Sequence, residues 1–258
     1  MPHSHEPCFS VRLAQTADDL RAAQRLRYAV FVDELGGGGA MVDHAQRLER
    51  DRFDPYFDHM LLLDEALPTE DQVVGVYRLL RCDQAARVGQ FYSEDEYDLS
   101  VLKTSGRRLL ELGRSCLQRD YRGGIGMFHL WNSLAAYVAE HQVEILFGVA
   151  SFHGTDVDAL AGPLSLLHHG HLAPPDLRVR ARAPHFAVMD RIAPDVLDRR
   201  AAVLEIPSLI KAYLRLGGFV GEGAWIDHEF NTIDVCLVLD TARMSDRQRA
   251  IYTKGVGG

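Results

Sequence analysis

The stretch from residue 111 to residue 126 constrains the fold most, because it predicts a strand, a glycine-rich turn and a helix in succession. It reads ELGRS at 111–115 and YRGGIG at 121–126, and an amphipathic segment follows. Glycines let backbone N–H groups approach a bound anion, and a helix N-terminus favours negative charge. The turn therefore predicts a phosphate or pyrophosphate site. The alternative is that the glycines only make a tight turn.

Composition narrows the class of protein. The chain has 258 residues, of which 47% are hydrophobic and 25% charged, as in ordinary soluble globular proteins. A formal net charge of −8 argues against nucleic acid as the main partner, because phosphate binding needs a basic face.

The expected location is the cytoplasm. The cysteines at 8, 82, 116 and 236 are far apart and lack metal-ligand spacing, which favours a reducing compartment. We find no secretory signal in the first ten residues. No stretch reaches the roughly 20 apolar residues that span a bilayer.

Strands and helices are predicted to be mixed. Thr16 and Asp19 resemble a capping box before a first helix. The polar stretch 83–100 is predicted to be an inserted segment outside the main strands and helices, and 174–200 has no predicted secondary structure. Predicted strands cover 9–13, 60–63, 73–80, 109–114, 143–150, 219–226 and 233–239, and predicted helices cover 20–30, the stretch after 126, 155–167 and 209–216.

That order of elements resembles the GNAT N-acyltransferase fold. The resemblance implies an α/β protein with a mixed central sheet flanked by helices. It also implies an extra helical or irregular insertion before the last two strands. We therefore expect a single domain over 1–258, with the insertion at about 155–210.

The residues themselves carry the resemblance further. Several residues of this chain resemble a pattern shared by acyl-homoserine-lactone synthases and ornithine N-acyltransferases. They are Arg27-Tyr28 with Phe31, the E-x-D-x-F-D string at 49–54, Val74-Gly75, Arg78-Leu79, Glu111 and Arg114. Downstream, SFHGTD at 151–156, LHHGHL at 167–172 and the block from 209 to 232 resemble the ornithine enzymes. The resemblance covers about residues 25–245.

The resemblance to ornithine acyltransferases implies a specific reaction. A 3-hydroxyacyl group passes from acyl carrier protein to the α-amine of L-ornithine, and lyso-ornithine lipid forms. The implied partners are acyl carrier protein and L-ornithine, and a peripheral contact with the inner membrane face is also implied. No cofactor, metal or nucleic acid is implied. Two departures stand out: Tyr121 occupies a place where the anion turn usually has Gln or Arg, and only Gly36–Gly39 stands where homoserine-lactone synthases carry a Trp.

The predicted catalytic residues are Glu111, Arg114 and Arg78. Acyl transfer to an amine needs a neutral amine, so a carboxylate near the ammonium is a reasonable base. Glu111 is the candidate base and Arg114 its structural partner. Plain alternation would separate them, so we expect a bulge at Gly113 that brings both into one cleft. The alternative is a strand-surface ion pair without a catalytic task.

An acidic cluster after the flexible loop suits a substrate with two amines, although a solvated acidic loop would look similar. Arg78 shares a strand face with apolar residues, so its guanidinium needs an acid partner. We expect one polar network that binds the acceptor, built from Arg27, Glu49, Asp51, Asp54 and Arg78.

The other polar motifs have weaker interpretations. The histidines at 168, 169 and 171 lack a metal-ligand pattern, and the resemblance makes His169 part of the acceptor or acyl pocket wall. No G-x-S-x-G elbow surrounds Ser115 or Cys116, so direct transfer is favoured over an acyl-enzyme. Basic side chains at 103, 107, 108, 178, 180 and 182 could meet a carrier protein or anionic lipid, or be a solvated face.

The predicted site for the donor's phosphopantetheine comprises Arg122, Gly123, Gly124 and Gly126. Two alternative functions stay open at this point. One is an acyl-homoserine-lactone synthase that uses S-adenosylmethionine. The other is a catalytically silent module that binds acyl carrier protein or membrane on a GNAT scaffold, although the retained Glu111, Arg114 and Arg78 argue against it.

Overall fold

A computed structural model describes residues 6–123 and 125–248. The strands are β1 (Phe9–Leu13), β2 (Asp58–Asp64), β3 (Val73–Arg81), β4 (Tyr97–Asp98), β5 (Leu109–Leu117), β6 (Ile145–His153), β7 (Arg180–Ala181), β8 (Phe186–Ala187), β9 (Phe219–Val220), β10 (Ala224–Asp227) and β11 (Thr232–Asp240). The α-helices are α1 (Ala17–Arg27), α2 (Cys82–Val88), α3 (Ser100–Lys103), α4 (Gly126–Glu140), α5 (Ala161–His171), α6 (Arg199–Glu205) and α7 (Ser208–Arg215).

The predicted first strand and the capping box of α1 are confirmed. The Thr16 hydroxyl accepts a hydrogen bond from the Asp19 N–H, and the Asp19 carboxylate accepts one from the Thr16 N–H. The helix continues as a π-helix over Tyr28–Glu34, and Gly36 then has a φ of 72°. Such left-handed backbone favours glycine, which explains why the helical path ends there.

Two predicted elements differ from the observed ones by more than a few residues at their ends. The helix predicted over 155–167 begins only at Ala161, because Asp156 accepts hydrogen bonds from the N–H groups of Asp158 and Ala159. Such a turn competes with helix formation. The strand predicted over 219–226 is divided into β9 and β10, and Gly223 between them has a φ of 78°.

The chain divides into two compact units, and the first consists of residues up to 89 together with 112–142. Its strands β1, β2 and β3 pair in antiparallel fashion. The end of β5 lies beside β3, where the Gln118 N–H donates to the Val74 carbonyl at 2.8 Å. Helix α1 packs on β3 and α4 packs on β1, β2 and β3. Buried aliphatic side chains such as Leu61 and Val76 form the core.

The described part of the second unit comprises 90–111 and 143–248. Leu109–Glu111 of β5 pair in parallel with Ile145–Phe147 of β6, and β6 pairs along its whole length with β11. Strand β10 joins the far side of β11 and is followed by β8, whereas β4 and β7 form a separate small sheet. The predicted insertion at 155–210 contains α5, β7, β8 and α6.

Candidate active site

Three arginines and three carboxylates meet in the first unit. Arg27 ends α1, Arg78 lies on β3 and Arg114 lies on β5; the carboxylates come from the connection between the π-helix and β2. The network comprises Arg27, Arg78, Arg114, Glu49, Asp51 and Asp54, all from the predicted set. The charges balance, as burial requires.

Arg27 is fully buried at the closed end of this network. Its Nε donates to Glu49, and its Nη2 donates to the Glu49 carbonyl oxygen at 2.7 Å. Burial would lower the pKa of Arg27, but Glu49 and Asp54 raise it overall. Burial would raise the pKa of Glu49, yet Arg114 and Arg27 hold it down at about 2. Both groups are therefore charged at neutral pH.

Asp54 is the hub of the network. Its carboxylate accepts from Arg27 Nη1 at 2.6 Å, Arg27 Nη2 at 3.0 Å, Arg78 Nη1 at 2.8 Å and Gln24 Nε2 at 2.8 Å. Burial opposes ionisation, but the two arginines hold the pKa of Asp54 well below its usual range. These four donors make Asp54 a structural anion with little capacity left for a substrate.

Arg78 has the acid partners that its buried position requires. Its Nη1 donates to Asp51 Oδ2 at 2.7 Å and to Asp54 Oδ1 at 2.8 Å. The guanidinium carbon lies 4.3 Å from the centre of the Phe57 ring, a cation–π contact. Arg78 thus connects the hub to Asp51 and is itself fully buried.

The exposed end of the network consists of Asp51 and Arg114. Their side chains are 19% and 13% exposed, and Arg114 Nη2 lies 3.8 Å from Asp51 Oδ2. Arg114 Nε also donates to Glu49 Oε1 at 3.2 Å. The backbone of Arg114 has a φ of 50°, so the irregularity predicted at Gly113 falls one residue later. That conformation is uncommon in a strand and breaks simple alternation.

Glu111 lies in the second unit and is 1% exposed. Its Oε2 accepts from the Tyr92 N–H at 2.7 Å, and its Oε1 accepts from the Ser93 N–H at 2.6 Å and the Ser93 hydroxyl at 2.5 Å. Such donors stabilise an ionised carboxylate. Glu111 is therefore held by contacts within the second unit, and its place in one cleft with Arg114 stays a prediction.

Sequence reasoning missed three residues around these carboxylates: Gln24, His59 and Ser93. Gln24 could have been found, because it lies three residues before Arg27 on α1 and therefore on the same helix face. His59 lies opposite Arg78 in the β2–β3 register, which only strand pairing reveals. Ser93 belongs to a short 3₁₀ turn that no sequence pattern marked.

The glycine-rich turn has two kinds of glycine among its described residues. Gly123 has a φ of 76° and open space around it, so it serves the turn. Gly126 begins α4 and is buried, and a Cβ there would lie 3.1 Å from Leu62 Cδ2, so it permits close helix–strand packing. Gly124 lies outside the described residues.

Arg122, the fourth residue assigned to the donor site, is engaged by the Leu117 carbonyl and by Glu34. Its Nε donates to the Leu117 carbonyl at 3.0 Å, and its Nη1 donates to Glu34 Oε1 at 2.5 Å. Ile125 caps α4 without a side-chain hydrogen bond. Among the described residues of this turn, the first N–H groups of α4 are the donors that suit an anion.

The histidines of α5 have contacts within the second unit. His169 Nε2 lies 3.0 Å from the Ile192 carbonyl oxygen and 3.2 Å from Asp190 Oδ1. Burial lowers the pKa of His171. Within 6–123 and 125–248, the group of possible metal ligands that comes together is Glu96, Asp227 and Asp234, without a histidine. The role of His169 in a pocket wall stays a prediction.

The chain is similar to proteins of known family. The acetyltransferase (GNAT) domain model matches residues 26–132. The L-ornithine N(alpha)-acyltransferase of Rhodobacter capsulatus is 60% identical, over 97% of this chain and 96% of its own length. The L-ornithine N(alpha)-acyltransferase of Brucella abortus is 42% identical, over 95% of this chain and 88% of its own length.

A solved structure gives a more distant likeness. The CoA-dependent acyl-homoserine lactone synthase BjaI is 13% identical, covers 94% of this chain and 83% of its own, and superposes with a TM-score of 0.50. At that identity the likeness concerns the fold alone. Together with the domain match it confirms the predicted GNAT fold, a mixed sheet flanked by helices. Near-full-length identity of 60% decides the family: this chain is an N-acyltransferase that belongs to the L-ornithine N(alpha)-acyltransferases.

Proposed function

We propose that this enzyme transfers a 3-hydroxyacyl group from acyl carrier protein to the α-amine of L-ornithine, which gives lyso-ornithine lipid. The observation that carries the proposal is the pair Asp51 and Arg114, the partly exposed end of a buried, charge-balanced network. The relatives' names supply the acceptor, since each of those compared is an L-ornithine N(alpha)-acyltransferase.

The exposed pair suits an amino acid. A guanidinium binds a carboxylate through two parallel hydrogen bonds, and a carboxylate attracts an ammonium group. Arg114 therefore receives the α-carboxylate of ornithine and Asp51 attracts its amine. Arg27, Glu49 and Asp54 hold these two side chains in place and do not contact the substrate in this proposal, because they already bind one another.

The transfer itself is a direct attack of the neutral α-amine on the thioester carbonyl. A nitrogen–carbon bond forms, the carbon–sulfur bond breaks, and the amine proton goes to a base. Glu111 is the proposed base, and the sulfur of the phosphopantetheine arm leaves as a thiolate, which then takes up a proton from solvent. The reaction needs no cofactor, because the thioester is already activated and alignment supplies much of the rate.

The basic side chains noted in the sequence do not locate the docking surface for the donor protein, because three of them pair with carboxylates of this chain. Lys103 pairs with Glu94, Arg107 with Asp240 and Arg180 with Glu222. Within the described residues, no helix is long and apolar enough to cross a membrane. We propose a cytoplasmic enzyme that meets the inner membrane face peripherally, since its product is a lipid.

An acceptor panel tests the function. With 3-hydroxyacyl carrier protein as donor, we expect product from L-ornithine and none from S-adenosylmethionine. In the same assay, Asp51→Asn should raise the KM for ornithine about tenfold or more, because it removes the carboxylate charge but keeps Oδ1, which accepts from the Phe53 N–H. Turnover of S-adenosylmethionine, or an unchanged ornithine KM in the variant, would contradict the proposal.

The glycine-rich turn allows a matched pair of variants for the donor site. Gly126→Ala should lower the melting temperature and leave the donor KM unchanged, because its Cβ would crowd Leu62. If the turn binds phosphate as the sequence predicts, Gly124→Val should raise the donor KM sharply while the protein stays folded, because glycines let backbone N–H groups approach an anion and a branched residue does not. A stable Gly124→Val protein with native donor binding would end the assignment of this turn to phosphopantetheine.

A further inference from the structure

We infer that His59 is a positioning residue, which sets the orientation of the Asp51 carboxylate through the backbone of Asp54. This inference rests on the proposed function, because Asp51 is the carboxylate that attracts the substrate amine. His59 itself is 4% exposed, lies on β2 and is not among the residues that could touch a substrate.

The first step is the hydrogen bond between His59 and Asp54. His59 Nε2 lies 2.9 Å from the Asp54 carbonyl oxygen, so this nitrogen carries the proton and donates. Burial lowers the pKa of His59 to about 4, and the nearby Arg27 and Arg78 act in the same direction. Asp54 is the facing group with the opposite effect. With this pKa the ring is neutral at physiological pH, and its one N–H proton lies on Nε2.

The second step connects Asp54 to Asp51. The Asp54 N–H donates to Asp51 Oδ1 at 3.2 Å, and the neighbouring Phe53 N–H donates to the same oxygen at 2.9 Å. One residue therefore receives a hydrogen bond from His59 at its carbonyl and gives one to Asp51 at its N–H. A shift of the Asp54 backbone would rotate the Asp51 carboxylate away from Arg78 and Arg114.

The histidine is not explained by stability alone. Its Nδ1 is buried and has no hydrogen-bond partner among the described residues, an arrangement that costs free energy. A leucine would fill much of the same space without a buried polar nitrogen, but it would leave the Asp54 carbonyl without this donor. Compared with an apolar side chain, the imidazole adds the hydrogen bond to the Asp54 carbonyl, and Asp54 in turn contacts Asp51.

Two variants of His59 test the inference in the full-length enzyme. His59→Leu should raise both the KM and the dissociation constant for ornithine about tenfold, with the donor KM within twofold. His59→Gln carries an amide N–H at nearly the same reach and should restore ornithine binding to within about twofold. Tyr137→Phe serves as the control, because it removes a hydrogen bond to Asp58 in the same unit but outside the network.

The outcomes separate a positioning role from a structural one. Ornithine binding by a folded His59→Leu protein that stays within twofold of the native value would overturn the inference. So would equal losses in His59→Leu and Tyr137→Phe, or losses that follow the melting temperature. If the native enzyme uses no ornithine, the proposed function fails. In that case the ¹³C chemical shift of the Asp51 carboxyl carbon tests the positioning role of His59. It should change in His59→Leu and return to the native value in His59→Gln.

Discussion

Glu111→Gln should lower kcat by about a hundredfold or more while the donor KM changes little, because a general base contributes about 10²–10⁴ in rate. Single-turnover measurement of acyl transfer to ornithine, with the donor KM from the same preparation, checks this. Glutamine offers one acceptor oxygen where Tyr92 and Ser93 now have two. We therefore also expect about 1–3 kcal/mol lower unfolding free energy for this variant.

Ser93→Ala is the matched control for that experiment. It removes the hydroxyl donor to Glu111 Oε1 but leaves the carboxylate in place, so kcat at its pH optimum should stay within a few-fold of native. A Glu111→Gln enzyme with turnover within a few-fold of native would place the base elsewhere or leave deprotonation to solvent.

Asp54→Asn should lower the unfolding free energy by about 3–5 kcal/mol, because it leaves Arg27 and Arg78 buried with too little negative charge. Asp33→Asn is the matched control. Asp33 pairs with Arg47 in the same unit, but these side chains are 37% and 62% exposed, so about 0–1 kcal/mol is expected. Equal losses for the two variants in denaturant titrations would show that the buried network contributes no more than a surface pair.

The same titrations at several pH values test the sign of the electrostatic contribution. The pKa of Asp54 is held below its usual range and that of Glu49 at about 2, so the unfolded chain binds more protons on acidification. The contribution of these two carboxylates to the free energy of unfolding is complete above about pH 4.5 and is lost toward pH 2. His59, with a pKa of about 4, adds a loss that begins near pH 6.5. Stability should therefore fall on acidification, and less steeply in Asp54→Asn.

Outside 83–100 and 174–200, the sequence by itself determined the order of the main strands and helices, and it showed which residues carry charge into the core. Arg78 shows why: it alternates with apolar residues on a strand, so an inward face makes an acid partner obligatory. The chain supplied candidate acids in one short string at 49–54. The capping box of α1 and the glycine turn before α4 were equally local, since each depends on residues within a few positions of one another.

Only the tertiary structure decided which acid meets which arginine. Asp54 became the hub and Asp51 the exposed end because the connection before β2 folds back on itself and presents them at different depths. His59 entered the site through strand register, and Glu111 was bound by a 3₁₀ turn 18 residues earlier in the chain. These contacts join residues far apart in sequence. Local propensity and periodicity specify elements and faces, but partner choice depends on the distances that packing creates.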